Sequence, residues 1–260
     1  MMKKKVINIY KEKGETPLEA LKRLEKIRPE LKEQKKSYAG KLDPMAEGVL
    51  LVLVGEETKK QKDYQNLDKE YLAEIIFGIS TDSGDLMGLI ENIREVGISK
   101  AEVADYCSEI EGVQKIKIPA FSGYEIKGEP LFWWARQDKL GQIEIPKKQM
   151  KVYSASFLGF EKKASQEVFE KVKQEVKEVN GDFRQEEIIE NWRKNFEKED
   201  YEFPLVRLKI QCSSGTYVRS LARELGGYLN VPSSLFSLVR TKIGIENETY
   251  WAGDALRVNN

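Results

Sequence analysis

The stretch Gly40-Lys41-Leu42-Asp43-Pro44-Met45-Ala46-Glu47-Gly48-Val49-Leu50-Leu51-Val52-Leu53-Val54-Gly55 decides how the rest of the chain folds. Its second half, Val49 to Val54, is an unbroken apolar run closed by a glycine. A run this short with glycines at its bounds reads as a β-strand buried on both faces. Its first half is a loop that carries Asp43. Pro44 fixes its own φ and pushes Asp43 towards extended geometry, while Gly40 and Gly48 allow sharp turns or close approach by another backbone. A carboxylate on the loop feeding a buried strand is held by a rigid scaffold and can still meet a ligand. The same residues also suit an Asx-turn, in which Asp43 caps its own loop ahead of proline. Local chemistry leaves both readings open.

Upstream of this stretch, Val6 to Tyr10 reads as a strand. Thr16-Pro17-Leu18-Glu19 has the spacing of a capping box, with Pro17 as the first helical residue. Leu18, Leu21, Leu24 and Ile27 make the apolar stripe of that helix, and Pro29 ends it near Arg28. Lys32, Lys35 and Lys36 then approach the central loop, where they suit phosphate contacts or a solvated linker equally. Downstream, Glu70 to Gly78 alternates as a strand, with Tyr71, Ala73, Ile75 and Phe77 on one face. Tyr71 on these grounds is a sheet-face aromatic. The turn-rich loop Thr81 to Gly88 fails the spacing of a calcium loop. Ser99-Lys100-Ala101-Glu102 is a second capping box, opening a helix with Val103, Cys107 and Ile110 inward.

Gln114 to Lys148 interleaves Phe121, Tyr124, Phe132, Trp133 and Trp134 with seven lysines and arginines. Stacking rings among bases suit unpaired RNA, though on these residues alone an amphipathic core helix beside a solvated loop is the favoured reading. Val152 to Phe160 and Leu205 to Ser213 alternate as strands. Between them, residues 161–200 are charged, with Val168, Val172, Val176 and Val179, then Ile188, Ile189, Trp192 and Phe196, at helical spacing around an Asn180-Gly181 break. This predicts two amphipathic helices in a surface hairpin. Ser214-Gly215-Thr216-Tyr217 turns into a last helix bearing Val218, Leu221, Ala222, Leu225 and Leu229.

The 260 residues, 40% hydrophobic and 33% charged, suit a soluble protein with a sizeable core. The longest apolar run is far too short to span a bilayer, and no apolar signal region follows the basic N-terminus. A cytoplasmic protein is expected. With no histidine in the chain, imidazole metal ligands and Ser-His or Cys-His nucleophile pairs are excluded. Cys107 and Cys212 fall at apolar-periodic positions and read as buried thiols. The formal net charge is +0, but its distribution is uneven: residues 161–200 carry −3 and residues 1–62 carry +6. The second figure allows a phosphate-facing surface.

Gly40-Lys41-Leu42-Asp43-Pro44-Met45-Ala46-Glu47-Gly48-Val49-Leu50 resembles the catalytic motif of the TruB family of tRNA pseudouridine synthases. Further matches follow in order: Lys69-Glu70-Tyr71 with Gly78-Ile79-Ser80-Thr81-Asp82, then Ile118-Pro119-Ala120-Phe121-Ser122-Gly123, Cys212-Ser213-Ser214-Gly215-Thr216-Tyr217-Val218-Arg219, and Leu235-Phe236-Ser237-Leu238-Val239-Arg240. The resemblance implies an α+β (mixed α/β) pseudouridine synthase fold, with a central, largely antiparallel sheet, flanking helices and an RNA-gripping insertion over residues 114–148. It implies one catalytic domain over residues 1–260, with 161–200 as an added charged helical insertion, since the family usually makes that connection much shorter. The few residues after the last signature are too short for the PUA domain that many members carry, so none is expected.

By the same resemblance, Asp43 is the catalytic nucleophile, Arg219 pairs with it, and Tyr71 lies against the target base. Tyr217 and Leu238 line the pocket. The family commonly has His-Thr before the motif glycine; here the pair is Tyr38-Ala39, so Tyr38 takes the place of an RNA-contacting histidine. The implied activity is isomerisation of uridine to pseudouridine at position 55 in the T-loop of tRNA, on a base turned out of its stack. The implied partner is the T-arm stem-loop of tRNA, with no membrane, no metal and no cofactor, and a monomer is expected. The competing reading is a non-catalytic tRNA-binding or tRNA-folding protein on the same scaffold.

Overall fold

The computed structural model describes residues 6–197, 199–244 and 249–257. In chain order the strands are β1 (Val6–Lys11), β2 (Lys36–Ala39), β3 (Glu47–Val54), β4 (Lys69–Phe77), β5 (Ile79–Thr81), β6 (Ile90–Ile93), β7 (Gly112–Lys117), β8 (Glu125–Ile126), β9 (Glu129–Pro130), β10 (Lys147–Ala164), β11 (Glu202–Cys212), β12 (Ser233–Ile243) and β13 (Tyr250–Trp251). The α-helices are α1 (Pro17–Ile27), α2 (Gln61–Gln65), α3 (Lys100–Glu109), α4 (Leu131–Arg136), α5 (Ser165–Glu178), α6 (Gln185–Phe196) and α7 (Val218–Tyr228).

One large sheet runs β1-β3-β12-β4-β11-β10-β7, with β2 added to β3 and β13 to β12. Every pairing in it is antiparallel except that of β12 with β3, which is parallel and brief: Val239 opposite Glu47 and Arg240 opposite Gly48. The fold is therefore the mixed α/β arrangement with a mostly antiparallel sheet. Val49 to Val54 are buried on both faces, as their unbroken apolar run predicts. One face of the sheet, with Tyr71, Ala73, Ile75 and Phe77 on β4, packs under α3 and α7 in the main core. Both capping boxes form: Thr16 with Glu19, and Ser99 with Glu102.

Three expectations need correction. In α1, Leu18 and Ile27 are exposed, and the buried stripe is Ala20, Leu21, Arg23 and Leu24. The helix is rotated because Arg23 points inward, donating to Glu15 and to the Tyr10 carbonyl, the latter at 2.8 Å. Lys36 does not face phosphate: its ammonium is held by the carbonyls of Leu31, Lys32 and Gln34 and by Glu25 at 2.9 Å. The hairpin α5–α6 does more than sit on the surface. Val168, Val172, Val176, Ile188 and Trp192 bury against Ile76, Ile79, Leu86, Phe203, Leu205 and Phe236, making a second core on the face of the sheet opposite the first. Charge is abundant in 161–200, but the few apolar residues all lie in phase, and that is enough to dock both helices.

Candidate active site

The loop from Gly40 to Gly48 is held by backbone contacts from both sides. Arg240 on β12 is almost wholly buried. It donates to the carbonyls of Val49 (2.8 Å), Gly40 (3.1 Å) and Lys41 (3.3 Å). Lys11, at the end of β1 and also wholly buried, donates to those of Ala46 (2.7 Å) and Pro44 (3.4 Å). Within the loop the Ala46 amide donates to the Asp43 carbonyl at 3.0 Å. Gly48 has φ +114°, and a Cβ there would lie 2.2 Å from the Arg240 carbonyl. Only glycine lets β12 pass this close.

These contacts present Asp43 with its carboxylate partly open to solvent, its side chain 43% exposed. Arg219, in the first turn of α7, meets Asp43 Oδ2 with Nη2 at 2.9 Å. Its Nε lies 3.5 Å from Asp85 Oδ2. The same guanidinium donates to the carbonyls of Ser83 (3.0 Å) and Phe121 (3.1 Å). Burial works against the charge on Arg219, but Asp43 and Asp85 beside it leave its pKa raised overall. Asp85 is fully enclosed; burial pushes its carboxyl up, with Arg219 and the Ser83 hydroxyl pulling the other way. Arg219 thus stands between one accessible and one buried carboxylate, and its bonds leave the planar fork little freedom to turn.

Tyr71 sits directly opposite Arg240 in the β4–β12 register, and Leu238 opposite Ala73. Both are buried in one cluster with Leu42, Met45 and Ala46 from the loop. Burial raises the Tyr71 phenol, and Arg240 opposes that rise. Tyr217, the residue before α7, is half-buried; burial raises its phenol and the nearby Asp43 charge adds to the rise. Asp43, Tyr71, Arg219, Tyr217 and Leu238 therefore converge. Tyr38 does not join them: it packs from β2 on the separate cluster of Ile9, Leu21, Leu24 and Leu50.

Arg240, Asp85 and Lys11 are site-building residues that the sequence reading did not single out. Arg240 and Lys11 had a legible signal, since each is a cation in phase with the buried residues of its strand, Leu238 and Ile9. Asp85 had none beyond its place in a turn-rich loop. A separate cleft of about 1220 Å³ opens between the 114–148 segment and α7, lined by Lys115, Lys117, Arg223 and Glu224 among others. It reaches Phe121, whose carbonyl accepts from Arg219, but includes none of Asp43, Tyr71, Arg219, Tyr217 and Leu238, and is of mixed charge.

A loop-borne carboxylate is thus clamped by a helix-borne arginine, on a sheet whose last long strand lies at its centre. The chain belongs to the TruB family: the model of the TruB family pseudouridylate synthase N-terminal domain matches residues 28–183. Proteins named tRNA pseudouridine synthase B are similar along most of the chain. That of Borreliella afzelii is 31% identical over 91% of this chain and 68% of its own. That of Endomicrobium trichonymphae is 30% identical over 89% of this chain and 81% of its own. That of Caldicellulosiruptor saccharolyticus is 28% identical over 81% of this chain, which spans 58% of that relative's length. Among solved structures, a Cbf5-Nop10-Gar1 complex matches with TM-score 0.58 and 20% identity, over 97% of this chain and 52% of the other. At that identity the likeness is one of fold. Among the described residues, no helix is long and apolar enough to cross a membrane.

Proposed function

We propose that this chain converts uridine to pseudouridine in the T-loop of tRNA, in the cytoplasm, with Asp43 as the nucleophile. The observation that carries the reading is the 2.9 Å pair between Asp43 and a buried Arg219, in segments that also match the family's signatures. The reaction breaks the N1–C1′ glycosidic bond and forms C5–C1′. The C5 proton leaves and N1 gains one, so atoms and oxidation state balance without a co-reactant. The base must first leave the stack to reach Asp43. Asp43 attacks as an anion that Arg219 orients and stabilises. The Tyr71 phenol, raised by burial, is protonated at neutral pH and lies against the uracil as a stacking and hydrogen-bonding group. Leu238 and Tyr217 close the pocket against water.

The test is product mapping on a T-arm stem-loop transcript incubated with purified protein. Asp43→Asn should form no pseudouridine while its RNA affinity stays within about threefold of the parent, since the substitution is isosteric and removes only the nucleophilic charge. Pseudouridine formed by the Asp43→Asn protein would overturn the assignment. RNA binding without turnover by the parent protein would make it a binding protein instead.

A further inference from the structure

The tip of the α5–α6 hairpin, residues 179–184, touches both the loop after β5 and the 114–148 insertion. Arg184 has φ +62°, a left-handed backbone that is uncommon for a side chain of this size. That turn aims its guanidinium at Asp82, with Nη1 at 2.8 Å from Oδ2 and Nη2 at 3.2 Å from Oδ1. The same guanidinium lies over the Phe121 ring, 4.3 Å from its centroid. The Phe121 carbonyl in turn accepts from Arg219. Next to this, Asp182 takes Arg136 from the end of α4, carboxylate to guanidinium at 3.2 Å. Two cation contacts therefore tie the hairpin tip to the insertion, and one of them sits a single residue from the arginine that holds Asp43. Behind the tip, the hairpin is fixed by the second core and by Trp192 donating to the Gly88 carbonyl at 2.8 Å.

Charge speaks against a direct RNA-gripping role for this hairpin, since residues 161–200 carry −3 and phosphate would be repelled. We infer that the hairpin tip is a latch: Arg184, as a positioning residue, holds the 114–148 insertion docked beside Asp43 before RNA arrives. The inference rests on the reading that the insertion closes on the substrate loop. A docked insertion lowers the ordering cost at binding, so the latch acts on substrate affinity and leaves the chemical step alone.

Arg184→Ala and Asp82→Asn, singly and together in the full chain, test this from both sides of the contact. Hydrogen exchange without RNA should speed up about tenfold across 118–136 in each variant, while the amides of α5 and α6 keep their protection. KM for the stem-loop should rise about tenfold with kcat within about twofold, and the double variant should be no worse than the worse single one. Unchanged exchange in the insertion together with unchanged KM overturns the latch. So does a variant in which α6 loses protection and kcat falls with KM unaltered, because that is a merely structural role. If the parent protein makes no pseudouridine, the functional reading fails, and the exchange measurement alone decides the latch.

Discussion

Replacing Arg240 with lysine tests what holds the Asp43 loop in place. Arg240 bonds the Tyr71 phenol, and its guanidinium also serves three backbone carbonyls, at 2.8, 3.1 and 3.3 Å. A hydrogen bond from a charged donor to a buried acceptor is worth about 1.5–3 kcal/mol. Lysine can reach one of these carbonyls, and the compact ammonium cannot span the other two as a planar fork does. Losing the two weaker bonds, and leaving their acceptors short of partners, should cost about 3 kcal/mol. Single domains have about 5–15 kcal/mol in hand, so the variant should fold. At about 2–4 °C per kcal/mol for a chain of this size, Tm should fall by about 6–12 °C. The loop it releases carries Asp43, and a misplacement near 1 Å costs about 100-fold in rate. Thermal unfolding followed by circular dichroism reads the first effect, and single-turnover pseudouridine formation at saturating enzyme reads the second. A variant with Tm within about 2 °C of the parent and undiminished single-turnover rate would refute the view that Arg240 sets the loop.

Trp192→Ala should destabilise by about 3–5 kcal/mol, because a fully buried indole leaves a cavity and the Gly88 carbonyl loses its donor; urea unfolding checks this, and a loss under about 1 kcal/mol would contradict the second core. Burial pushes the Lys69 ammonium down to about 7, with Arg240 adding to it. Lysine in the unfolded chain titrates at about 10.4. Between those values the unfolded state binds more protons than the folded one, so the Lys69 contribution to stability rises with pH. It is least favourable below about pH 7. The stability of the parent relative to Lys69→Met should therefore improve by about 1.4 kcal/mol per pH unit from pH 7 to 8.5, measured by urea titration; a constant difference would mean the ammonium is not desolvated.

The parts legible in the sequence are those set by local pattern. Val49 to Val54 had only one way to be satisfied, as a strand covered on both faces, and the capping boxes at Thr16 and Ser99 fix helix starts by chemistry within four residues. Asp43 with Arg219 was legible through the family motifs, and the chain brings the two to contact distance. What escaped depends on contacts between distant residues. Nothing near Leu18 announces that Arg23 will turn inward to Glu15, which rotates α1. Nor does the spacing around Val168 say which surface the helix will cover, because amphipathicity reports that a face is buried and not against what. The +6 of residues 1–62 overstated the cations free for phosphate, since Lys11, Arg23 and Lys36 spend theirs on carbonyls and carboxylates.

The order β3-β12-β4 in the middle of the sheet makes the site depend on pairing between distant parts of the chain. Asp43 precedes β3, Tyr71 lies on β4, and the strand that joins their neighbourhoods is β12, more than 160 residues further on by its Leu238 pairing with Ala73. Until β12 inserts, Arg240 is absent from the loop carbonyls, Leu238 from the cluster around Tyr71, and the close approach that Gly48 permits has nothing to approach. Arg219 depends on the same event, because α7 leads into β12 and buries Leu221, Ala222 and Leu225 in the core that β12 completes. Long-range pairing of this kind is costly in chain entropy before it is rewarded. A half-folded chain therefore cannot present Asp43 with its arginine, and the nucleophile is assembled only together with the pocket that would receive the base.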